Sequence, residues 1–115
     1  MILEGKEKKS LPEHIQRVVE CIPKGSNRPI TVREISALTG FSDTAIRSYV
    51  SKAIITYGIP IGGQNTVGNS GYFIIETLEE RDKAIKNIMS RIYWMLRRVM
   101  SLKSMPLPKQ EKMDI

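Results

Sequence analysis

Residues 31–57, TVREISALTGFSDTAIRSYVSKAIITY, carry the signals of two short helices joined by a sharp turn. Thr31 and Glu34 have the spacing of a capping box, in which a hydroxyl and a carboxylate satisfy free amides at the start of a helix. Gly40 can supply the positive φ that often ends a helix, and Ser42 can cap the next one. This stretch therefore predicts one helix after Thr31 and a second after Ser42.

Both predicted helices have an apolar face. In the first, Ile35 and Leu38 supply the stripe that we expect to be buried. In the second, apolar residues recur at helical spacing: Ile46, Tyr49, Val50, Ala53, Ile54 and Tyr57. Its opposite face is polar and carries Thr44, Arg47, Ser48 and Ser51. Such a face suits a DNA major groove, although capped helix pairs with solvated polar faces also occur in small domains that bind no nucleic acid.

The composition of the chain limits its possible functions. A length of 115 residues and a net charge of +6 fit a single basic domain with an appended element. The charge suggests an acidic partner, most commonly nucleic acid, and the excess is largest in residues 24–58, with five basic and two acidic residues. Cys21 stands alone and cannot form an internal disulfide, and the sequence shows neither a signal peptide nor an apolar run of membrane length. We therefore expect a cytoplasmic protein.

Another helix is predicted before the helix pair. Ser10 and Glu13 have capping-box spacing, and the apolar pattern continues to about Cys21. The face expected to be buried consists of Ile15, Val18, Val19 and Ile22. His14 falls in the first turn and is interpreted as a surface residue rather than a metal ligand or catalyst.

A β-hairpin is predicted after the helix pair. Gly58 is expected to stop the second helix, an alternating strand pattern begins at Ile59, and strand character resumes at Tyr72. Between the strands, residues 62–71 are rich in glycine and asparagine and are expected to form a flexible loop. Residues 28–31, before the pair, are expected to be extended and to form a minimal edge strand.

The last predicted element is a long amphipathic helix. Thr77 and Glu80 form a third capping box, and the pattern continues to about Lys103, a length of roughly 39 Å. Its apolar stripe alternates steps of three and four residues and consists of Ile85, Ile88, Ile92, Met95, Val99 and Leu102. The stripe either packs on its own domain or pairs with a second copy, parallel or antiparallel. We expect the domain to cover its first half and a second copy to cover the rest.

The order of these elements resembles a winged helix-turn-helix. Residues 35–74, with GFSDTAIRSYV, GIPI and GYFI, are similar to the N-terminal DNA-binding domain of biotin-operon repressors and to small phage and prophage helix-turn-helix proteins. The resemblance implies that residues 42–51 form the recognition helix and that residues 62–71 form a wing against the DNA backbone or minor groove. Two departures stand out, because the wing has no lysine or arginine and the biotin-ligase catalytic domain is missing, so no enzymatic activity is implied.

The predicted fold class is mainly α with a small β-hairpin wing, a winged helix-turn-helix plus a long C-terminal helix. Its parts are a flexible arm (1–9), the winged helix-turn-helix domain (10–76), the long helix (77–103) and a disordered tail (104–115). We predict a phage-like regulator of transcription or replication that binds double-stranded DNA as a homodimer through the long helix. The predicted DNA contacts are Arg33, Ser42, Asp43, Thr44, Arg47, Ser48, Ser51, Lys52, Gln64, Asn65, Thr66 and Asn69.

Two other function classes fit the sequence less well. A winged helix can serve as a protein-interaction adaptor without intrinsic DNA binding, and the wing without cations fits this alternative. A small enzyme is the other class, but the sequence has no Ser/His/Asp or Cys/His set, and no GK[ST] follows the glycine-rich stretch. Glu79, Glu80 and Asp82 are interpreted as acids at a helix N-terminus rather than metal ligands. We therefore predict no catalytic residues, cofactor, metal or small-molecule effector.

Overall fold

The computed structural model describes residues 10–107, so the predicted arm (1–9) and most of the predicted tail lie outside the described residues. Within that range the chain forms four helices and one two-stranded antiparallel hairpin. The elements are α1 (Glu13–Cys21), α2 (Val32–Thr39), α3 (Asp43–Ile55), β1 (Ile61–Thr66), β2 (Asn69–Ile74) and α4 (Leu78–Ser104). The predicted mainly helical class, with a hairpin and a long C-terminal helix, is confirmed.

The start of α1 differs from the prediction. Pro12 is its N-cap residue and no side chain caps it, so the predicted capping box of Ser10 and Glu13 is wrong. Proline suits this position because its φ is already helical and it has no amide donor that would need a partner. The Pro12 carbonyl accepts the amide of Gln16 at 2.9 Å. The apolar face is as predicted, with Ile15, Val18 and Ile22 buried and Val19 half-buried.

A single apolar core joins the first three helices to β1. Its buried members are Ile15, Val18, Ile22, Ile35, Ile46, Val50, Ala53 and Ile61. A fully buried aliphatic side chain contributes about 1.5–3 kcal/mol relative to an exposed one. Helix α3 supplies three of these residues, at steps of four and three, so one side of this helix is fixed in the core.

Two residues that the sequence assigned to the core are exposed. Leu38 is 67% exposed and Ile54 is 41% exposed. In α2 the buried side passes through Ile35 toward Ser36 and Thr39, which are half-buried. Their hydroxyls donate to backbone carbonyls, Ser36 Oγ to Phe41 at 2.7 Å and Thr39 Oγ1 to Ile35 at 2.8 Å. Leu38 lies on the other side of Ile35 and therefore faces solvent, because local hydrogen bonds let two polar residues take the inner positions.

The corner between α2 and α3 forms as the local signals predict. Thr31 donates its amide to Glu34 Oε1 at 2.9 Å and accepts the Glu34 amide on Oγ1 at 3.1 Å. The bonds from Thr31 lower the pKa of the Glu34 carboxyl. Gly40 ends α2 with a φ of 83°, and Ser42 Oγ accepts the amide of Ala45 at 3.1 Å at the start of α3. Because both adjoining helix ends are capped, the turn is fixed by its own residues.

The prediction that residues 62–71 form a flexible loop is wrong. β1 and β2 pair without interruption from Ile61 opposite Ile74 to Thr66 opposite Asn69. Only Val67 and Gly68 form the turn, with a φ of 79° at Gly68. The segment is therefore a regular hairpin. Its high glycine content does not reflect a flexible loop and has another cause.

Close approaches of neighbouring groups explain two of these glycines. At Gly71, a Cβ atom would collide with the Ile30 carbonyl, because Ile30 exchanges backbone hydrogen bonds with Tyr72 at 2.9 and 2.7 Å. At Gly62, a Cβ would lie 2.8 Å from the ring of Phe73, which packs across the hairpin. Ile30 forms an isolated bridge to Tyr72, so the edge strand predicted at residues 28–31 is reduced to this single residue.

Helix α4 is anchored through its first turn. Thr77 Oγ1 accepts the amide of Glu80 at 3.0 Å, as predicted. The reciprocal bond of the capping box is replaced, since the Glu80 carboxylate accepts the amides of Glu76 at 2.8 Å and Ser26 at 2.9 Å. Ser26 lies in the loop between α1 and α2, so Glu80 ties that loop to the start of α4.

Replacement of Glu80 by glutamine is expected to change how stability depends on pH. Hydrogen bonds from the amides of Glu76 and Ser26 lower the pKa of Glu80 below its ordinary value of 4.5. A carboxyl with a lowered folded-state pKa stabilises the fold above the unfolded value, and the contribution is lost as pH falls through the folded value. Glu80→Gln should therefore lower the unfolding midpoint at pH 7 and flatten its decline below about pH 4.5.

Thermal unfolding followed by circular dichroism between about pH 7 and pH 2 tests this expectation. Glu79→Gln is the matched control, because it removes an equal charge from the same helical turn and leaves both amides of Glu76 and Ser26 bonded. If the Glu79 and Glu80 variants have the same midpoints at every pH, the tie to Ser26 does not contribute to stability.

Candidate nucleic-acid interface

The polar face of α3 is open to solvent. Thr44, Arg47, Ser48, Ser51 and Lys52 are all exposed, while Ile46, Val50 and Ala53 on the other side are buried. Hydroxyl side chains can donate and accept, and arginine presents a planar fork of donors. The core therefore holds α3 in place with one guanidinium, one ammonium and three hydroxyls directed outward.

Three other residues predicted to contact DNA lie near the helix starts. Ser42 caps α3, so its hydroxyl oxygen already accepts a backbone amide. Asp43 is exposed in the first turn of α3, where a carboxylate interacts favourably with the helix dipole but opposes an approaching phosphate. Arg33 is exposed in the first turn of α2. Ser42 and Asp43 thus have roles in stabilising α3 whether or not a partner binds.

The hairpin residues divide into bonded and open groups. The Gln64 amide donates to the Asn69 carbonyl at 2.9 Å, and Ser70 Oγ donates to the Thr66 carbonyl at 2.9 Å. These bonds cross the hairpin close to its turn and stiffen it. The side chains of Asn65 and Thr66 are exposed, whereas Gln64 and Asn69 are half-buried.

The base of the hairpin is held on both edges. On the β2 side, Pro23 accepts the amide of Ile74 at 2.7 Å and Ile74 accepts the amide of Gly25 at 2.8 Å. On the β1 side, the Asn87 amide of α4 approaches the Gly63 carbonyl at 3.5 Å. The hairpin therefore lies between the loop that joins α1 to α2 and the first half of α4.

A groove of about 510 Å³ lies between the hairpin and α4. Its polar lining consists of Gln64, Asn65, Thr66, Tyr72, Asn87, Ser90 and Arg91. Burial raises the pKa of the Tyr72 hydroxyl, and the positive charges of Arg47 and Arg91 partly offset this rise. Tyr72 thus brings a hydroxyl of the hairpin into the same groove as Arg91 of α4. Sequence reasoning missed Asn87, Ser90 and Arg91, although their spacing of three and four residues places them on one face of α4.

Positive charge dominates the far part of α4. From residue 86 to residue 104 the sequence has five cations and no acid. The cations are Lys86, Arg91, Arg97, Arg98 and Lys103. Among the described residues, Arg81 and Asp82 form the one ion pair, at 3.1 Å, so these five cations have no acidic partner there.

The apolar stripe of α4 is uncovered along its whole length. The six predicted dimerisation residues, Ile85, Ile88, Ile92, Met95, Val99 and Leu102, are 49–66% exposed. Because a helical side chain lies over the turn before it, an exposure near one half is what the helix alone produces. The expectation that the domain covers the first half of the stripe is therefore wrong.

The orientation of α4 explains this exposure. The helix faces its domain through Glu80, buried Ala84 and Asn87, which lie on one side of the helix. Successive residues are rotated by about 100°, so the centre of the stripe at Ile92 is roughly 110° from the middle of that side. The apolar face points away from the domain rather than merely extending beyond it.

Helix α1 carries two residues of types that often act in catalysis, His14 and Cys21, and both contact neighbouring groups of the fold. The ring of His14 meets the ring of Tyr49 edge-on, with centroids 4.6 Å apart. Cys21 Sγ donates to the Arg17 carbonyl at 3.3 Å, and burial raises the pKa of its thiol, which disfavours the nucleophilic thiolate.

Residues 10–107 contain no group of three or more His, Cys, Asp or Glu side chains arranged to hold a metal ion. In the same range, no helix is both long enough and apolar enough to span a lipid bilayer. No protein-family model matches this chain, and neither a curated protein nor a solved structure matches it.

Proposed function

We propose that this chain is a winged helix-turn-helix protein that binds double-stranded DNA through α3. The observation that carries the proposal is the exposed polar face of α3, where Arg47 stands among Thr44, Ser48 and Ser51. The capped corner at Gly40 joins α2 to α3 as the two helices of the motif, and the hairpin beside them acts as the wing.

The chemistry of this face suits base recognition. The major groove of B-DNA is wide enough to admit an α-helix, and arginine can donate two hydrogen bonds to O6 and N7 of guanine. Serine and threonine hydroxyls bond either to base edges or to phosphates. The core fixes the opposite side of α3, so binding would not require ordering of this helix. A protein of this kind would regulate transcription or replication by occupying a site on duplex DNA.

A second copy of the chain is the proposed partner of α4. The uncovered face includes Ile85, Ile88, Met89, Ile92, Met95, Leu96, Val99, Met100 and Leu102. Nine side chains about half exposed present on the order of 1,000 Å² in one strip, whereas the largest apolar patch on a typical monomer is about 300–600 Å². An interface of standard size buries about 800 Å² per partner, so this face is large enough for a stable dimer. A two-fold dimer would present two copies of α3 to a two-fold DNA site.

A second candidate function is a protein-interaction adaptor without intrinsic DNA binding. One observation favours it, because residues 61–74 contain no lysine or arginine. A hairpin without cations gains little from an approach to phosphates, and its bonds near the turn leave few free donors.

The two candidates differ in their expected dependence on salt. Five exposed cations lie in α2, α3 and the loop before them: Lys24, Arg28, Arg33, Arg47 and Lys52. If each displaces a counterion, the logarithm of the DNA affinity should fall against the logarithm of salt concentration with a slope of about −4 to −5. Fluorescence anisotropy with a random duplex between about 50 and 200 mM salt measures this slope. An adaptor should show no binding at the lower concentration, and that result would exclude the DNA proposal.

A further inference from the structure

We propose that the groove between the hairpin and α4 binds a phosphodiester group of the DNA backbone, with Arg91 as its cation. This inference rests on the proposed function and adds α4 to the DNA-binding surface. It assigns the contact with the backbone to the side of the hairpin rather than to its turn.

The first support is the chemistry of the groove. Its lining combines the Arg91 guanidinium with neutral hydrogen-bonding groups, and it contains no aspartate or glutamate. Guanidinium groups bind phosphates through paired, charge-assisted hydrogen bonds, and amides and hydroxyls add donors to the same oxygens. Asn87 and Ser90 present such donors from the same face of α4 as Arg91.

A neighbouring groove provides a contrast. It has a volume of about 380 Å³ and shares Gly63, Gln64, Thr66 and Asn87 with the first one. Its lining also includes two lysines, Lys83 and Lys86, together with Glu80, whose carboxylate repels a phosphate and is already bonded to two backbone amides. The groove that contains Arg91 is the one of the two whose lining has no carboxylate.

The second support is the position of this groove relative to α3. Tyr72 lines the groove together with Arg91, and it also packs against the apolar core to which α3 contributes three residues. Tyr72 therefore belongs both to the groove and to the packing that fixes α3 beside the hairpin. A duplex carries about one negative charge per 1.7 Å of its axis, so a helix in the major groove always has phosphates of the flanking strands close by. The strand next to the hairpin would supply the phosphate for Arg91.

Replacement of Arg91 by alanine tests the inference. DNA affinity should fall by about threefold to tenfold on every sequence alike, and the salt slope should become less steep by about one. Tyr72→Phe keeps the ring and removes the hydroxyl, so it should weaken binding by a smaller factor. Arg97→Ala is the matched control, because it removes an equal charge from α4 outside the groove. Anisotropy with a random duplex and sedimentation of each variant provide the readouts.

The outcomes of this experiment distinguish failure of the Arg91 inference from failure of the proposed DNA binding. If the wild type binds duplex DNA and Arg91→Ala keeps both its affinity and its slope, the inference is wrong while the proposed function stands. If Arg97→Ala loses as much as Arg91→Ala, the effect is one of net charge and the groove is not a site. If the wild type binds no duplex, both statements fail together.

Inorganic phosphate could bind the same groups in the groove as a phosphodiester of DNA. A second measurement distinguishes these two ligands. Inorganic phosphate can be titrated into the wild type while the Nε–H resonance of Arg91 is followed by NMR. A saturable shift with phosphate alone, together with unchanged duplex binding by Arg91→Ala, would assign the groove to a free phosphate and overturn the inference. Displacement of that phosphate by duplex DNA would support it.

Discussion

Ile92→Asp is expected to convert the proposed dimer into monomers. Ile92 lies at the centre of the apolar face of α4 and is 51% exposed in the single chain. A carboxylate there would be buried without a partner in a helix pair, which costs about 3 kcal/mol or more for each chain. A dimer stable at micromolar concentrations should therefore dissociate, and sedimentation velocity at tens of micromolar should detect the change.

The matched control for this experiment is Ser101→Asp. Ser101 is exposed on the opposite side of α4 from Ile92, so it receives the same carboxylate outside the apolar face. The control variant should remain dimeric, and circular dichroism should show both variants folded, because Ile92 belongs to no buried cluster of the domain. A wild type that sediments as a monomer at tens of micromolar would contradict the proposed dimer.

Salt should act on the dimer and on DNA binding in opposite directions. The far part of α4 carries five cations and no acid, so two copies repel each other more strongly at low salt. Dimerisation should therefore strengthen as salt is added, whereas DNA binding weakens because counterions are released. This opposite behaviour separates loss of the dimer from loss of DNA contacts in any variant.

Arg47→Ala is expected to reduce sequence discrimination more than general DNA affinity. Arg47 is the long cation in the middle of the exposed face of α3 and suits guanine O6 and N7. Its removal should cost about 1–3 kcal/mol on a preferred site, or roughly fivefold to 150-fold, and much less on random DNA. A preferred site can be selected from a pool of random duplexes with the wild type and then used to compare the variants.

Two further substitutions show whether Arg47 reads a base. Arg47→Lys keeps the charge and loses the planar fork, so it should keep the salt slope and lose most of the discrimination. Lys52→Ala removes a cation from the last turn of the same helix and should weaken all sequences alike. Equal losses on the preferred and random sites for Arg47→Ala would instead assign Arg47 to a phosphate contact.

Local signals in the sequence were sufficient for the parts of the fold that depend on neighbouring residues. The capping box of Thr31 and Glu34, the positive φ of Gly40 and the cap at Ser42 all form as predicted. Each involves residues at most four positions apart, so the chemistry is complete within the segment. The polar face of α3 follows in the same way, because its position relative to Ile46 is set by the helical repeat.

Other features depended on residues distant in the chain. Residues 62–71 appeared to be a loop because glycine disfavours strands, but the backbone of Ile30 and the ring of Phe73 occupy the space that side chains would fill. Arg91 could be assigned to a polar face of α4 but not to a groove beside Tyr72, which comes from the hairpin. Glu80 was predicted to bond within its own turn, yet it also bonds to Ser26, 54 residues away.

The sequence by itself determined that α4 is long and has an apolar stripe, since the three- and four-residue spacing is a property of one helix. Only the tertiary structure decided which side of α4 meets the domain. Glu80, Ala84 and Asn87 make that contact, because a short side chain allows close packing and two polar groups find backbone partners there. The apolar stripe is left facing outward for this reason, and its periodicity alone could not distinguish an internal contact from an external one.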